Sequence, residues 1–137
     1  MENQKGFTLI EVLLIVVILG IIAAIVIPRL MMASIEAEAT KNLTEIGRLQ
    51  ESYKIATGSF LSCPKYPENV QQAGAWQGNE AFEKLGFSPI EEDNKKKLQY
   101  EVVLTGTDAE PGYKITAVYS NTTAWCLKSV DGIIVQQ

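Results

Sequence analysis

The sequence predicts an α+β fold: one long N-terminal helix, membrane-spanning in its first half and amphipathic in its second, packed on a small antiparallel β-sheet. Three observations predict it. Val12 to Pro28 is an apolar run without a charge, helical spacing of apolar residues follows it directly, and short alternating segments divided by Gly and Pro fill the C-terminal third. The chain has 137 residues, 47% hydrophobic and 20% charged, enough for one modest domain and too apolar for a disordered polymer. Its 12 Lys plus Arg against 16 Asp plus Glu give a net charge of -4, so it lacks the basic excess of a nucleic-acid binder and no nucleic acid is expected as its partner. There is no His and there are only 2 Cys, which disfavours metal and acid–base chemistry. No cofactor, metal site or catalytic residue is predicted, and no nucleophile, base or phosphate loop can be assembled.

The first element is the span. From Phe7 to Pro28 a single helix is about 33 Å long at 1.5 Å per residue, close to the ~30 Å hydrocarbon thickness of a bilayer. Lys5 and the α-amino group precede it, so the positive-inside rule keeps the N-terminus in the cytoplasm and sends the rest across. Ala23 and Ala24 lie inside a run that continues as helix, which favours a retained anchor over a cleaved secretory signal. Glu11 breaks the pattern. It sits four residues after Phe7, and an acid at the centre of a span costs about 2.5–3.5 kcal/mol, less toward the end, which makes it a functional candidate. No Lys or Arg lies within the span, and Arg29 is about 27 Å further along the same axis. The remaining partner is an α-amino group created by cleavage just before the run; otherwise Glu11 snorkels into the headgroups.

The stretch Lys5-Gly6-Phe7-Thr8-Leu9-Ile10-Glu11-Val12-Leu13 resembles the prepilin cleavage and N-methylation motif of type IV pilins and of the pseudopilins of type II secretion, and the likeness continues through Gly20 and Pro28. The resemblance implies cleavage by prepilin peptidase after Gly6, where the lack of a Cβ lets the backbone lie close in a protease cleft. Phe7 would then be the N-methylated first residue. Glu11 would pair with the Phe7 amine of a neighbouring copy and neutralise a charge that an apolar filament core does not tolerate alone. The interval from Gly20 to Pro28, two helix weakeners, would unwind on assembly and merely bend before it.

The implied organisation is a leader over 1–6, a transmembrane and filament-core half-helix over 7–28, and a pilin head over 29–137. The implied function is a structural subunit of a type IV pilus for adhesion, motility or DNA uptake, with a type II secretion pseudopilin or minor pilin as the alternative. A second alternative is a membrane-anchored exported binding domain that never polymerises. The implied partners are further copies of the chain in a homopolymer, prepilin peptidase and an inner-membrane assembly platform. The precursor would sit in the bacterial inner membrane and the mature chain in an extracellular filament.

After Pro28 the residues Ile35, Ala39, Leu43, Ile46, Leu49, Tyr53 and Ala56 recur at helical intervals, with Gly58 as the stop. The region from Ser59 to Lys97 reads as a long connection carrying one short helix, capped by Asn79 and ending at Gly86, with Trp76, Phe82 and Phe87 as anchors. Leu98, Tyr100, Val102 and Leu104, and then Tyr113, Ile115, Ala117 and Tyr119, alternate as two strands of a meander. Ala124 to Val130 and Ile133 to Gln136 flank a hairpin signal at Asp131-Gly132. One face of this sheet should cover the helix stripe.

Cys63 and Cys126 lie on the exported side, where thiols oxidise, so a disulfide between the long loop and a late strand is expected. Glu91, Glu92 and Asp93 lack the alternating ligands and glycine of an EF-hand and, with Lys95, Lys96 and Lys97, read as a solvated turn; the likeness to type II pseudopilins leaves calcium binding open. Asn42-Leu43-Thr44 and Asn121-Thr122-Thr123 match glycosylation sequons, a short and common pattern.

Overall fold

A single helix, α1, runs from Leu9 to Thr57 in the computed structural model, through Pro28 and into the amphipathic half. The structure describes residues 6–67, 79–89, 98–119, 123–129 and 132–136. The chain divides into two units, Met1–Ser34 and Ile35–Gln137. In the first, every described side chain is exposed, and the helix there is long and apolar enough to cross a membrane, with a mean hydropathy of 3.3 over an 18-residue window.

The second unit is the α+β part. Gly58 ends α1 at φ 88, its N–H bonded to the Lys54 carbonyl at 2.7 Å, a conformation that favours glycine. Strand β1 (Cys63–Tyr66) follows, then α2 (Glu80–Leu85), β2 (Leu98–Gly106), β3 (Pro111–Tyr119), β4 (Thr123–Lys128) and β5 (Ile134–Gln136). The strands form one antiparallel sheet in the order β1-β2-β3-β4-β5. Helix α2 starts where expected: the Asn79 side chain accepts from the Phe82 N–H at 2.9 Å, and Gly86 closes it at φ 79.

Period two in β2 and β3 puts Tyr100, Val102, Tyr113, Ile115 and Ala117 on one face, where they are buried with Trp125 and Leu127 against Ile35, Ala39, Leu43 and Ile46 of α1. Phe82, Leu85 and Phe87 close the core from the α2 side, with Phe87 edge-on to Tyr100 at 5.5 Å between ring centroids. Tyr53 is only partly buried and Ala56 is exposed, so the covered stripe ends earlier than the periodicity indicates.

Two expectations change. β1 lies within the stretch from Ser59 to Lys97 expected as connection; it accommodates Pro64 because it is an edge strand, where a missing N–H need cost no ladder bond. The hairpin between β4 and β5 starts its pairing at Leu127 with Ile134, with Gly132 at φ 60, so its loop is longer than the two-residue turn that Asp-Gly suggests. Trp76, Glu91, Glu92, Asp93, the three lysines 95–97, Asn121 and Asp131 lie outside the described residues.

Candidate functional site

The site begins before the helix does. Gly6, Phe7 and Thr8 precede α1 without regular structure, and all three are exposed. Thr8 is the residue from which α1 departs: its carbonyl accepts from the Glu11 N–H at 3.1 Å and from the Val12 N–H at 3.3 Å.

Glu11 stands three residues into this start and bends back onto it. Its Oε2 accepts from the Thr8 N–H at 2.8 Å and from the Thr8 hydroxyl at 2.8 Å, while its own N–H donates to the Thr8 hydroxyl oxygen at 3.3 Å. This is a reciprocal capping box, in which two otherwise orphaned donors at a helix start are satisfied by the pair that flanks them. The positive end of the helix dipole favours the carboxylate at the same place. In the single chain, therefore, Glu11 is held by its own helix start. Sequence reasoning missed Thr8, although Thr-x-x-Glu ahead of an apolar run is the signature of such a box.

The other candidates sit apart from this cluster. A Cβ added at Gly20 would meet nothing within 4 Å, so nothing in the single chain requires glycine there. Pro28 lies inside α1, where its missing N–H removes one ladder bond, yet the helix continues on both sides.

The disulfide is a correction. Cys63 and Cys126 are both buried and both free. Cys63 lies on β1 and Cys126 on β4, with β2 and β3 between them. Three strand spacings separate them by about 14 Å, against the 4.4–6.8 Å that a disulfide allows between Cα atoms. They also point to opposite faces: Cys63 is level with Val102, Ile115 and Leu127 on the core side, and Cys126, next to Leu127, points away. Burial pushes the Cys63 thiol up to about 12. Exported location favours oxidation, but sheet order decides whether two thiols can meet.

The head has polar ties that the apolar stripe concealed. Asn42, 2% exposed, donates from Nδ2 to the Tyr100 hydroxyl at 2.7 Å, so this sequon is a structural contact inside the core. Gln50, 0% exposed, donates from Nε2 to the Leu61 carbonyl at 2.7 Å and accepts from the Leu61 N–H at 2.9 Å. The Tyr113 hydroxyl donates to the Gly47 carbonyl at 3.3 Å, and burial pushes that phenol up to about 12. On the surface, Glu45 pairs with Arg48 and Glu80 with Lys84, each at 2.7 Å; each partner's hydrogen bond stabilises the charged forms, lowering the carboxylates and raising the cations. Among the described residues, no group of three His, Cys, Asp or Glu is placed to hold a metal ion.

Residues 1–27 match the prokaryotic N-terminal methylation motif. A fimbrial protein of Pseudomonas aeruginosa is 29% identical over 134 residues, covering 93% of this chain and 87% of its own length. A type IV major fimbrial protein of Dichelobacter nodosus is 32% identical over 124 residues, covering 88% of this chain and 70% of its own. A type II secretion system core protein G of Pseudomonas aeruginosa is 32% identical over 98 residues, covering 64% of this chain and 69% of its own. No solved structure gives a significant match.

Proposed function

The chain belongs to the type IV pilin and pseudopilin family, and from that premise we propose that it is the structural subunit of a type IV pilus, assembled from an inner-membrane precursor. Its role is mechanical and associative rather than catalytic. Prepilin peptidase cuts after Gly6, Phe7 becomes the methylated first residue, and an inner-membrane platform adds the chain to a homopolymer exposed outside the cell.

The observation that carries this reading is an apolar half-helix with no buried residue and a carboxylate at its entrance. So much exposed apolar surface must be taken up by lipid in the precursor and by other copies in the product. Glu11 is the one acid in that surface, and the Phe7 amine of a neighbouring copy is the cation that cleavage creates. Pairing exchanges the Thr8 bonds for a charged partner where water is excluded, which selects one register for each incoming copy.

A pseudopilin of type II secretion is the second reading, favoured by the similarity to core protein G. The pilus reading has the wider support, since the Pseudomonas fimbrial protein aligns through the head as well as the helix.

The test is Glu11→Gln in cells carrying the assembly machinery. Insertion and leader removal should persist, sheared fibres should begin at N-methylated Phe7, and incorporation of the variant should drop by at least about tenfold. Fibres that retain residues 1–6, or that take up Glu11→Gln as well as the parent, overturn the proposal. Loss of secretion without loss of surface fibres supports the pseudopilin reading.

A further inference from the structure

The face of the sheet turned away from α1 carries two cations in an unfavourable place. Period two sets Lys114 and Lys128 on that face, opposite in side to Ile115 and Leu127 of the core, and the register of β3 with β4 puts them directly across from each other. The Ser129 N–H donates to the Tyr113 carbonyl at 3.0 Å, so Tyr113 and Ser129 form a hydrogen-bonded pair. The next pair, Lys114 with Lys128, is then of the non-bonded kind, with Cα atoms only about 4.5 Å apart and side chains at their closest. Like charges so placed destabilise a sheet. Among the described residues the ion pairs are Glu45 with Arg48 and Glu80 with Lys84, so neither lysine has a carboxylate partner. Glu101 shares the face but lies opposite Thr116, diagonal to Lys114.

Two hydroxyls stand beside the pair. Gly112 is two residues from Lys114, about 6.8 Å along β3, on the same face and within reach of a lysine side chain. A Cβ added at Gly112 would meet Ser129 Oγ at 2.9 Å and Thr105 Oγ1 at 3.1 Å, so both hydroxyls converge over a residue that has no side chain of its own. Ser129 Oγ accepts from the Tyr113 N–H at 3.0 Å, which leaves its hydrogen to be donated elsewhere.

We infer that Lys114, Lys128, Thr105 and Ser129 hold a compact tetrahedral oxyanion, a phosphate or a sulfate, free or as the ester end of a small ligand. The two ammonium groups supply the charge that such an anion needs, and the anion removes the repulsion between them. The hydroxyls donate to its oxygens and fix its place over Gly112. Charge also limits its size. The chain carries a net charge of -4, and Glu101, Asp108 and Glu110 belong to the same two strands and the turn that joins them, so a long polyanion would meet repulsion on every side of the pair. Lys128 and Thr105 are exposed and Lys114 is partly so, which makes the site solvated and its affinity modest, with a Kd of roughly 1–10 mM. The site belongs to the single chain and does not depend on whether copies polymerise.

The experiment titrates the full-length chain, 15N-labelled and held in maltoside micelles at pH 7, with inorganic phosphate at ionic strength kept constant by sodium chloride. Amide shifts should be saturable and concentrated at Thr105, Gly112, Lys114, Lys128 and Ser129, and sodium sulfate should reproduce them. Lys114→Gln and Lys128→Gln should each weaken binding by at least about fivefold, and Thr105→Val by about twofold, whereas Lys41→Gln, on the exposed side of α1, should leave it unchanged. Thermal unfolding gives a readout that a merely structural role would not move. The parent's midpoint should rise with phosphate; Lys114→Gln should unfold higher than the parent without phosphate, because the like-charge pair is gone, and should no longer respond to it. Shifts that fail to saturate by about 100 mM phosphate, or a loss of binding in Lys41→Gln equal to that in Lys114→Gln, would overturn the inference. A single-stranded oligonucleotide that binds through the same residues far more tightly than phosphate would overturn the compact ligand in favour of a polyanion.

Discussion

Replacing Gln50 by Leu removes both hydrogen bonds that fix the chain just after α1, while keeping the buried volume nearly constant. Gln50 is 0% exposed, and its amide makes reciprocal bonds of 2.7 and 2.9 Å with the carbonyl and N–H of Leu61. The variant leaves both backbone groups facing an apolar side chain, with the Cys63 thiol 3.9 Å from the Leu61 carbonyl. A buried polar group left without a partner costs about 1–3 kcal/mol. Leu61 is partly exposed, so the two losses together come to about 2–3 kcal/mol. Urea unfolding of the full chain in detergent micelles, followed by tryptophan fluorescence, measures this as a lower midpoint at unchanged slope. Gln50→Glu supplies a second signature. Burial raises the folded pKa of that carboxyl above its unfolded value of about 4.3. Below that pH the neutral carboxyl donates to Leu61 as the amide does, and stability is retained. As pH rises toward the folded pKa, stability falls by about 1.4 kcal/mol per unit. A Gln50→Leu chain within about 0.5 kcal/mol of the parent, or a Gln50→Glu chain with the parent's pH dependence, would refute the reasoning.

Thr8→Val removes the hydroxyl from the capping box but leaves the N–H; it should cost about 1 kcal/mol at the helix start and show as faster amide exchange at Leu9 to Val12, while Thr8→Ser should behave like the parent. Since both thiols are free and buried, intact-mass measurement of the purified chain should find the fully reduced mass, and iodoacetamide at neutral pH should label Cys63 only after unfolding. A mass lower by the two hydrogens of a disulfide would contradict the strand order.

Much of the architecture was legible because each signal was local. The run from Val12 to Pro28, the stripe from Ile35 to Ile46, the Asn79 and Gly86 caps and the alternation in β2 and β3 all report on neighbours within one element. Contacts between elements were less legible. Nothing local marks Asn42 and Gln50 as interior, because an amide on an apolar face reads as surface until its partner is known. Gly47 looks like a helix weakener, yet it lies where α1 meets the sheet: an added Cβ would touch the Tyr113 hydroxyl at 3.4 Å and Leu127 at 3.5 Å, ordinary packing distances. The disulfide failed for the same reason: compartment is a property of the whole chain, whereas pairing depends on strand order. At the candidate site the acid stands out by its charge, whereas its partner is a neutral hydroxyl three residues earlier, marked only by the Thr-x-x-Glu spacing.

The three polar ties in the head have a consequence that the apolar stripe cannot produce. Packing of Ile35, Ala39, Leu43 and Ile46 fixes which face of α1 meets the sheet, but apolar contacts tolerate sliding, since similar side chains recur along the stripe. Asn42 with Tyr100, Gly47 with Tyr113 and Gln50 with Leu61 are each specific to one axial position. A slide of one turn, about 5.4 Å, would take the amides away from the hydroxyl and backbone groups they bond, and would bring a side chain larger than Gly47 against Tyr113. The ties therefore act as a register lock between α1 and the sheet. Loss of any one of these ties should therefore loosen the axial fit of α1 on the sheet without changing which face of the helix is covered.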